Sequence, residues 1–144
     1  MRKIFEHILI PYNGCAGSKK AFKKSIELTK LTKSKITIFT CLEERSTFGL
    51  FKTKTNKQEF ERAHKLVIQE HAKLEKYAKQ YDVSTHSKIV KSNMASHAIL
   101  EFVEKHNIDL IVMGMKKRVG YEKHYPSTIE NVLKNFQGSI LILN

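Results

Sequence analysis

The segment Asp109-Leu-Ile-Val-Met-Gly-Met115 constrains the fold of this chain more than any other. It is a short, uniformly apolar run that stops on a glycine and opens into a lysine-rich loop. A run of this length without polar alternation reads as a strand buried on both faces, which requires a parallel sheet covered by helices. The glycine at its end admits close approach of backbone or ligand. Ligands of open α/β sheets sit just beyond the carboxyl ends of strands. Residues 113–130 are therefore the first candidates for function.

The rest of the chain alternates in the same grammar. Phe5 to Pro11 is predicted as strand one, around Ile8, Leu9 and Ile10. Asn13-Gly14-Cys15-Ala16-Gly17 is a turn of small residues, and Ser18 is the predicted N-cap of a helix running to about Lys33. Phe22, Ile26 and Leu28 to Leu31 are its expected buried side. Ile36 to Leu42 is a second strand rich in β-branched residues. Glu43 to Asn56 has no periodicity and reads as a long loop or flap. Phe60, Ala63, Val67, Leu74, Ala78 and Tyr81 recur at helical spacing. Val83 to Val90 is a third strand whose weak alternation suits a sheet edge. Ala95 to His106 is a third helix, Ile108 to Gly114 a fourth strand, and Ile129 to Phe136 a last helix ended by Gly138. Ile140 to Leu143 is strand five. The order β-α-β-α-β-α-β-α-β implies right-handed crossovers in a five-stranded parallel sheet, helices on both faces, a Rossmann-like α/β architecture in one domain over 1–144.

Composition narrows the classes. At 144 residues with 41% hydrophobic content the chain can bury a core. No apolar stretch approaches the roughly 20 residues that span a bilayer. The N-terminus shows no signal-peptide pattern, so a cytoplasmic location is expected. Cys15 and Cys41 give neither a disulfide framework nor a zinc site, and both fall near strand ends as reduced thiols. The net charge is +12, and half of it lies between Ser18 and Lys35, where seven lysines face one acid, Glu27. Such a field attracts polyanions without choosing among them, although a lysine-rich solvated helix face has the same composition.

Taken together, Ile8-Leu-Ile-Pro-Tyr-Asn-Gly14, Asp109-Leu-Ile-Val-Met-Gly114, Ser127-Thr128 and Ser139-Ile-Leu-Ile-Leu143 resemble the universal stress protein family over essentially the whole chain. The resemblance implies a sheet ordered 3-2-1-4-5, a homodimer formed through the last strand, and a role in stress tolerance rather than a defined catalytic step. The dimer also follows from the residues. If Ile140-Leu-Ile-Leu143 lies at an edge, it exposes unpaired backbone with no guarding lysine or proline. Pairing about a two-fold axis would cover both edges at once.

Nucleotide-binding members of that family carry Gly, two residues, Gly, nine residues, Gly, then Ser or Thr after strand four. Glycines let backbone amides close on phosphates, and the following helix adds its dipole. In this chain Gly114 matches the first position and Thr128 the hydroxyl, whereas Lys117 and Ser127 stand at the second and third glycines. Asn13 stands where such members carry an acidic residue at the adenine–ribose end. Two readings follow. The site is retained in altered form, with Lys116, Lys117, Arg118 and Lys123 supplying charge. Or it is lost, because Lys117 adds bulk and Ser127-Thr-Ile-Glu130 reads as a capping box that partly uses the amides that would hold phosphate. If ATP or AMP binds, adenine is expected near Tyr12, Asn13 and Cys41, and phosphates near Gly114, Lys117, Ser127 and Thr128.

Other motifs carry less. Gly14-Cys-Ala-Gly-Ser-Lys19 lacks the spacing of a P-loop. His64 and His71 sit seven apart near an apolar stripe and read as packed or snorkelling side chains, while His97, His106 and His124 lack ligand spacing. Glu43-Glu44 reads as solvated, and Tyr121 and Tyr125 read as loop anchors with a capacity to stack on a base. No catalytic constellation is legible. The expectation is a binding protein with a degenerate adenine-nucleotide pocket. The alternatives are a fully competent ATP/AMP-binding stress protein, a polyanion binder acting through the lysine-rich helix, and, with least support, a slow ATP hydrolase.

Overall fold

The computed structural model of the protein describes residues 4–43, 54–115 and 127–144. The elements are β1 (His7–Pro11), α1 (Ala16–Thr32), β2 (Lys35–Glu43), α2 (Lys54–Lys79), β3 (Thr85–Ser92), α3 (Ala95–His106), β4 (Leu110–Gly114), α4 (Ser127–Asn135) and β5 (Ser139–Leu143). All strands run parallel, in the order β3-β2-β1-β4-β5.

The apolar strands take the centre, as their composition requires. Ile8, Leu9 and Ile10 are fully buried, and so are Ile111 and Val112 of β4. Alternate residues feed two cores. Ile8, Ile10, Ile36, Ile38 and Val112 meet Ala21, Phe22 and Ile26 of α1 and Ala78 of α2. Leu9, Phe39, Ile111 and Met113 meet Ile99 and Val103 of α3 and Ile129 and Val132 of α4. Asp109 locks the two central strands together, accepting the amides of Glu6 (2.8 Å) and His7 (3.0 Å).

The two edges differ. β3 has exposed Lys88 and Lys91, charges that discourage pairing with another sheet. β5 is aliphatic, with Leu141 40% exposed.

Several boundaries depart from the sequence pattern. α1 begins at Ala16 with Cys15 as its N-cap, not at Ser18. The reason is Asn13, whose Oδ1 accepts the Cys15 amide and the Ser18 hydroxyl, each at 3.0 Å. That turn starts the helix early and draws Ser18 inside, 3% exposed. Leu31 is 84% exposed, because the buried stripe runs through Ser18, Phe22, Ser25, Thr29 and Thr32 at about 100° per residue and leaves Leu31 outside. The stretch predicted as a loop over 43–56 is shorter at both ends: Glu43 closes β2, and α2 has begun by Lys54. Residues 44–53 of that flap lie outside the described residues. β1 and β3 each start two residues later than the pattern suggested, at His7 and Thr85. Before β3, Asp82 takes a left-handed conformation (φ 62°), which ends the α2 turn and leaves Val83 to pack as a buried cap.

Candidate functional site

In a 3-2-1-4-5 sheet the chain reverses its direction of travel between β1 and β4, and crossover helices there leave the strand ends uncovered. A cavity of about 480 Å³ opens at that place. Its apolar base is made by Pro11, Phe39 and Met113 at the strand ends. Ile99 of α3 and Ile129 of α4 add an apolar wall on the same side. Its polar rim comes from the turn after β1, with Asn13, Cys15 and Ser18, and from Thr128 of α4.

Three helices begin on this cavity. Cys15 is the N-cap of α1, Ala95 the first residue of α3, and Thr128 the second of α4, and all three line the wall. Each helix start carries the positive end of its dipole. Neither N-cap residue of α1 or α3 closes a side-chain cap, and neither first turn contains an acid. The first turn of α4 does contain Glu130, whose Oε1 lies 3.1 Å from Lys134 Nζ. The field of the cavity therefore favours a ligand with an anionic end and an apolar body.

The rim residues are already employed. A methyl on Gly114 would stand 1.9 Å from the Gly17 carbonyl oxygen and 2.1 Å from its carbon. Gly114 thus lacks a side chain because the first turn of α1 rests on the end of β4. The close approach that the sequence suggested is an approach of backbone. Asn13 likewise spends its Oδ1 on the α1 turn.

Tyr12 contributes to the wall, but its ring belongs to the α1/α2 core. It is 4% exposed, and its hydroxyl donates to Glu70 Oε2 at 2.9 Å. Burial, with Glu70 reinforcing it, raises the phenol far above its ordinary value. Behind Tyr12, the Thr40 hydroxyl donates to the Tyr12 carbonyl at 2.7 Å, and His71 Nε2 lies 2.7 Å from the same Thr40 oxygen. His71 Nδ1 pairs with the Ser87 hydroxyl. The histidine read from sequence as a packed side chain therefore braces the peptide that forms the cavity wall.

Cys15 is the rim residue that the sequence reading left unassigned. Partial burial pushes its thiol up, but the Ser18 amide and hydroxyl, the Gly17 amide and the Asn13 side chain outweigh this and bring it below its ordinary value. Its position in the small-residue turn between the first strand and the first helix was the available signal. Cys41 lines the same cavity from the end of β2, and neither cysteine forms a disulfide.

Of the residues expected at a nucleotide site, Tyr12, Asn13, Cys41, Gly114 and Thr128 meet around this one cavity. Lys117 lies outside the described residues, as do Lys116, Arg118, Tyr121, Lys123, Tyr125 and the side chain of Ser127. Among the described residues, no helix is long and apolar enough to cross a membrane, and no three His, Cys, Asp or Glu side chains converge as metal ligands.

The chain resembles known proteins over nearly its full length. It is 26% identical to a universal stress protein of Methanocaldococcus jannaschii over 148 aligned positions, covering 97% of this chain and 82% of that one. The universal stress protein UspA from Lactobacillus plantarum superposes with a TM-score of 0.82 at 12% identity, covering 97% and 98% of the two chains. A universal stress family protein from Arabidopsis thaliana, solved with AMP bound, gives 0.66 at 13% identity over 96% and 90%. At these structural identities the likeness concerns the fold. A sequence model of the universal stress protein family matches residues 4–144, and the chain belongs to that family.

Proposed function

We propose that this chain acts by binding rather than by turnover, as a stress-response regulator whose cavity holds adenine nucleotide only weakly. The observation that carries this reading is the double use of the rim. Gly114 is occupied by Gly17, and Asn13 by the α1 turn. A strong triphosphate site needs backbone amides that close on oxygen atoms, and it needs an acceptor for the ribose hydroxyls. The first glycine here serves helix packing, and the residue at the ribose end presents an amide whose oxygen is engaged. The segment between β4 and α4 adds Lys116, Lys117, Arg118 and Lys123 to the sequence as positive charge.

The same reading includes a homodimer through β5. The strand is an uncharged edge with Leu141 exposed, whereas the opposite edge bears Lys88 and Lys91. Antiparallel pairing of two such edges about a two-fold axis would satisfy both.

A second reading, a stress protein that binds AMP or ATP tightly, is favoured by the helix starts of α1 and α3, which bring positive dipoles and no acid to the cavity. Native mass spectrometry of the purified protein separates the two, because it reports subunit count and retained nucleotide together. A dimer without nucleotide is expected, with calorimetric titration of ATP and AMP giving a Kd no tighter than about 0.1 mM, or roughly −5.5 kcal/mol. A co-purified adenine nucleotide, or micromolar affinity, replaces the first reading with the second. A monomer removes the dimer from either.

A further inference from the structure

We propose that the lysine face of α1 is a docking surface for the phosphate backbone of double-stranded nucleic acid. Lys19, Lys20, Lys23, Lys24 and Lys30 are all exposed on this one helix. At 1.5 Å per residue the array extends about 16 Å along the helix axis. The first four line an open groove of about 350 Å³ with Ala16 and Glu27. Glu27 is the single acid of the helix, and its contact with Lys24 is 3.5 Å long and fully at the surface, where such a pair is worth little.

The array is partly pre-organised. Lys20 Nζ donates to the Asn144 carbonyl oxygen at 2.7 Å. Lys23 lies over the Tyr77 ring at 5.8 Å, and Lys30 over the Tyr81 ring at 4.2 Å. Holding the ammonium groups near these rings lowers the side-chain entropy lost on binding. The opposite layer has no such excess: α3 carries Glu101 and Glu104 against Lys105, and α4 pairs Glu130 with Lys134. Among the described residues, the basic charge is therefore concentrated on the α1 side.

The pattern selects the partner. A row of lysine point charges without arginine forks matches a continuous line of phosphates rather than a geometrically fixed carboxylate. A duplex carries about one charge per 1.7 Å of axis, so it can meet the whole array at once. A membrane surface would call for apolar side chains between the lysines, and the large exposed apolar residue of α1, Leu31, stands in its last turn. Contacts from lysine to phosphate carry no sequence information, so binding is independent of sequence.

The test is fluorescence anisotropy of a labelled 20-base-pair DNA duplex titrated with the full-length chain between 50 and 300 mM NaCl. With four to five phosphates neutralised, the logarithm of affinity should fall with the logarithm of salt at a slope of about −4. Replacing Lys19, Lys20, Lys23 and Lys24 together by glutamine should make that slope shallower by about 4. A control removing Lys88, Lys91, Lys105 and Lys134 changes net charge equally and should leave the slope within about 1 of the parent. Thermal unfolding of both variants checks that each is folded. A parent slope shallower than −1 overturns the proposal. So do equal losses in the two variants, which would reduce the effect to net charge. Polyglutamate or anionic vesicles binding as tightly as the duplex at equal charge would reassign the surface to another partner and overturn it as well.

Discussion

His71 makes the interior of this protein pH-sensitive, and the size of the effect follows from its partners. The ring is 2% exposed. The Thr40 hydroxyl has one proton, and it goes to the Tyr12 carbonyl. The Thr40 oxygen must then accept from His71 Nε2, which fixes the proton on that nitrogen. Nδ1 is left to accept from the Ser87 hydroxyl. The neutral ring is fully satisfied, and a second proton would force Ser87 to turn and would place a charge in the core. Burial accordingly brings the His71 pKa down to about 4, with Glu70 partly offsetting it. In the unfolded chain the value is about 6.5. Between those values the unfolded state binds a proton that the folded state does not, so stability falls as pH falls. The stabilisation held by the neutral ring is complete above about pH 6.5 and gone below about pH 4. It amounts to about 3 kcal/mol in total, and about 2 kcal/mol is lost by pH 5. Urea unfolding at pH 7.5 and pH 5.0 reads this directly when the protein is compared with His71→Gln, which keeps a donor and an acceptor but does not titrate. The parent should lose about 2 kcal/mol more than the variant over that interval. Identical pH dependence in the two proteins would refute the assignment of a buried neutral histidine.

Two further outcomes test the cavity rim. Gly114→Ala should destabilise the fold by about 3 kcal/mol or more, roughly 10 °C in Tm, with no ligand present, because the new methyl meets the Gly17 backbone on a helix that cannot yield locally. A variant with parental Tm would return Gly114 to a purely ligand-binding role. Cys15 should be alkylated by iodoacetamide at neutral pH faster than Cys41, with a rate that rises through an apparent pKa below the usual thiol range, since helix amides and the Ser18 hydroxyl favour its thiolate. Equal rates, tracked by peptide mass spectrometry, would remove the helix start as the cause.

Much of the architecture was legible in the sequence because it depends on pattern. The uninterrupted apolar runs at Ile8–Ile10 and Leu110–Met113 are central parallel strands because each face meets a helix layer, and a run with polar gaps could not serve there. The weak alternation of β3 and the aliphatic content of β5 matched their edge positions for the same kind of reason. The location of the cavity followed from strand order, since the crevice opens wherever the chain reverses across the sheet.

The chemistry of the rim was not legible, because it depends on which atoms are already paired. Gly114 looked available for a ligand until its neighbour proved to be Gly17, 97 positions earlier in the chain. Asn13 looked like a substitute for a ribose-binding acid, and its oxygen instead builds the start of α1 and displaces the cap from Ser18 to Cys15. His71 read as filler and serves as a hydrogen-bonded brace because Thr40 and Ser87 come to it from two neighbouring strands. Element type and burial follow from hydrophobic periodicity, a local property that any stretch of chain displays by itself. The capacity of a polar group to take a ligand is what remains after its tertiary partners are satisfied, and those partners are brought together only by folding.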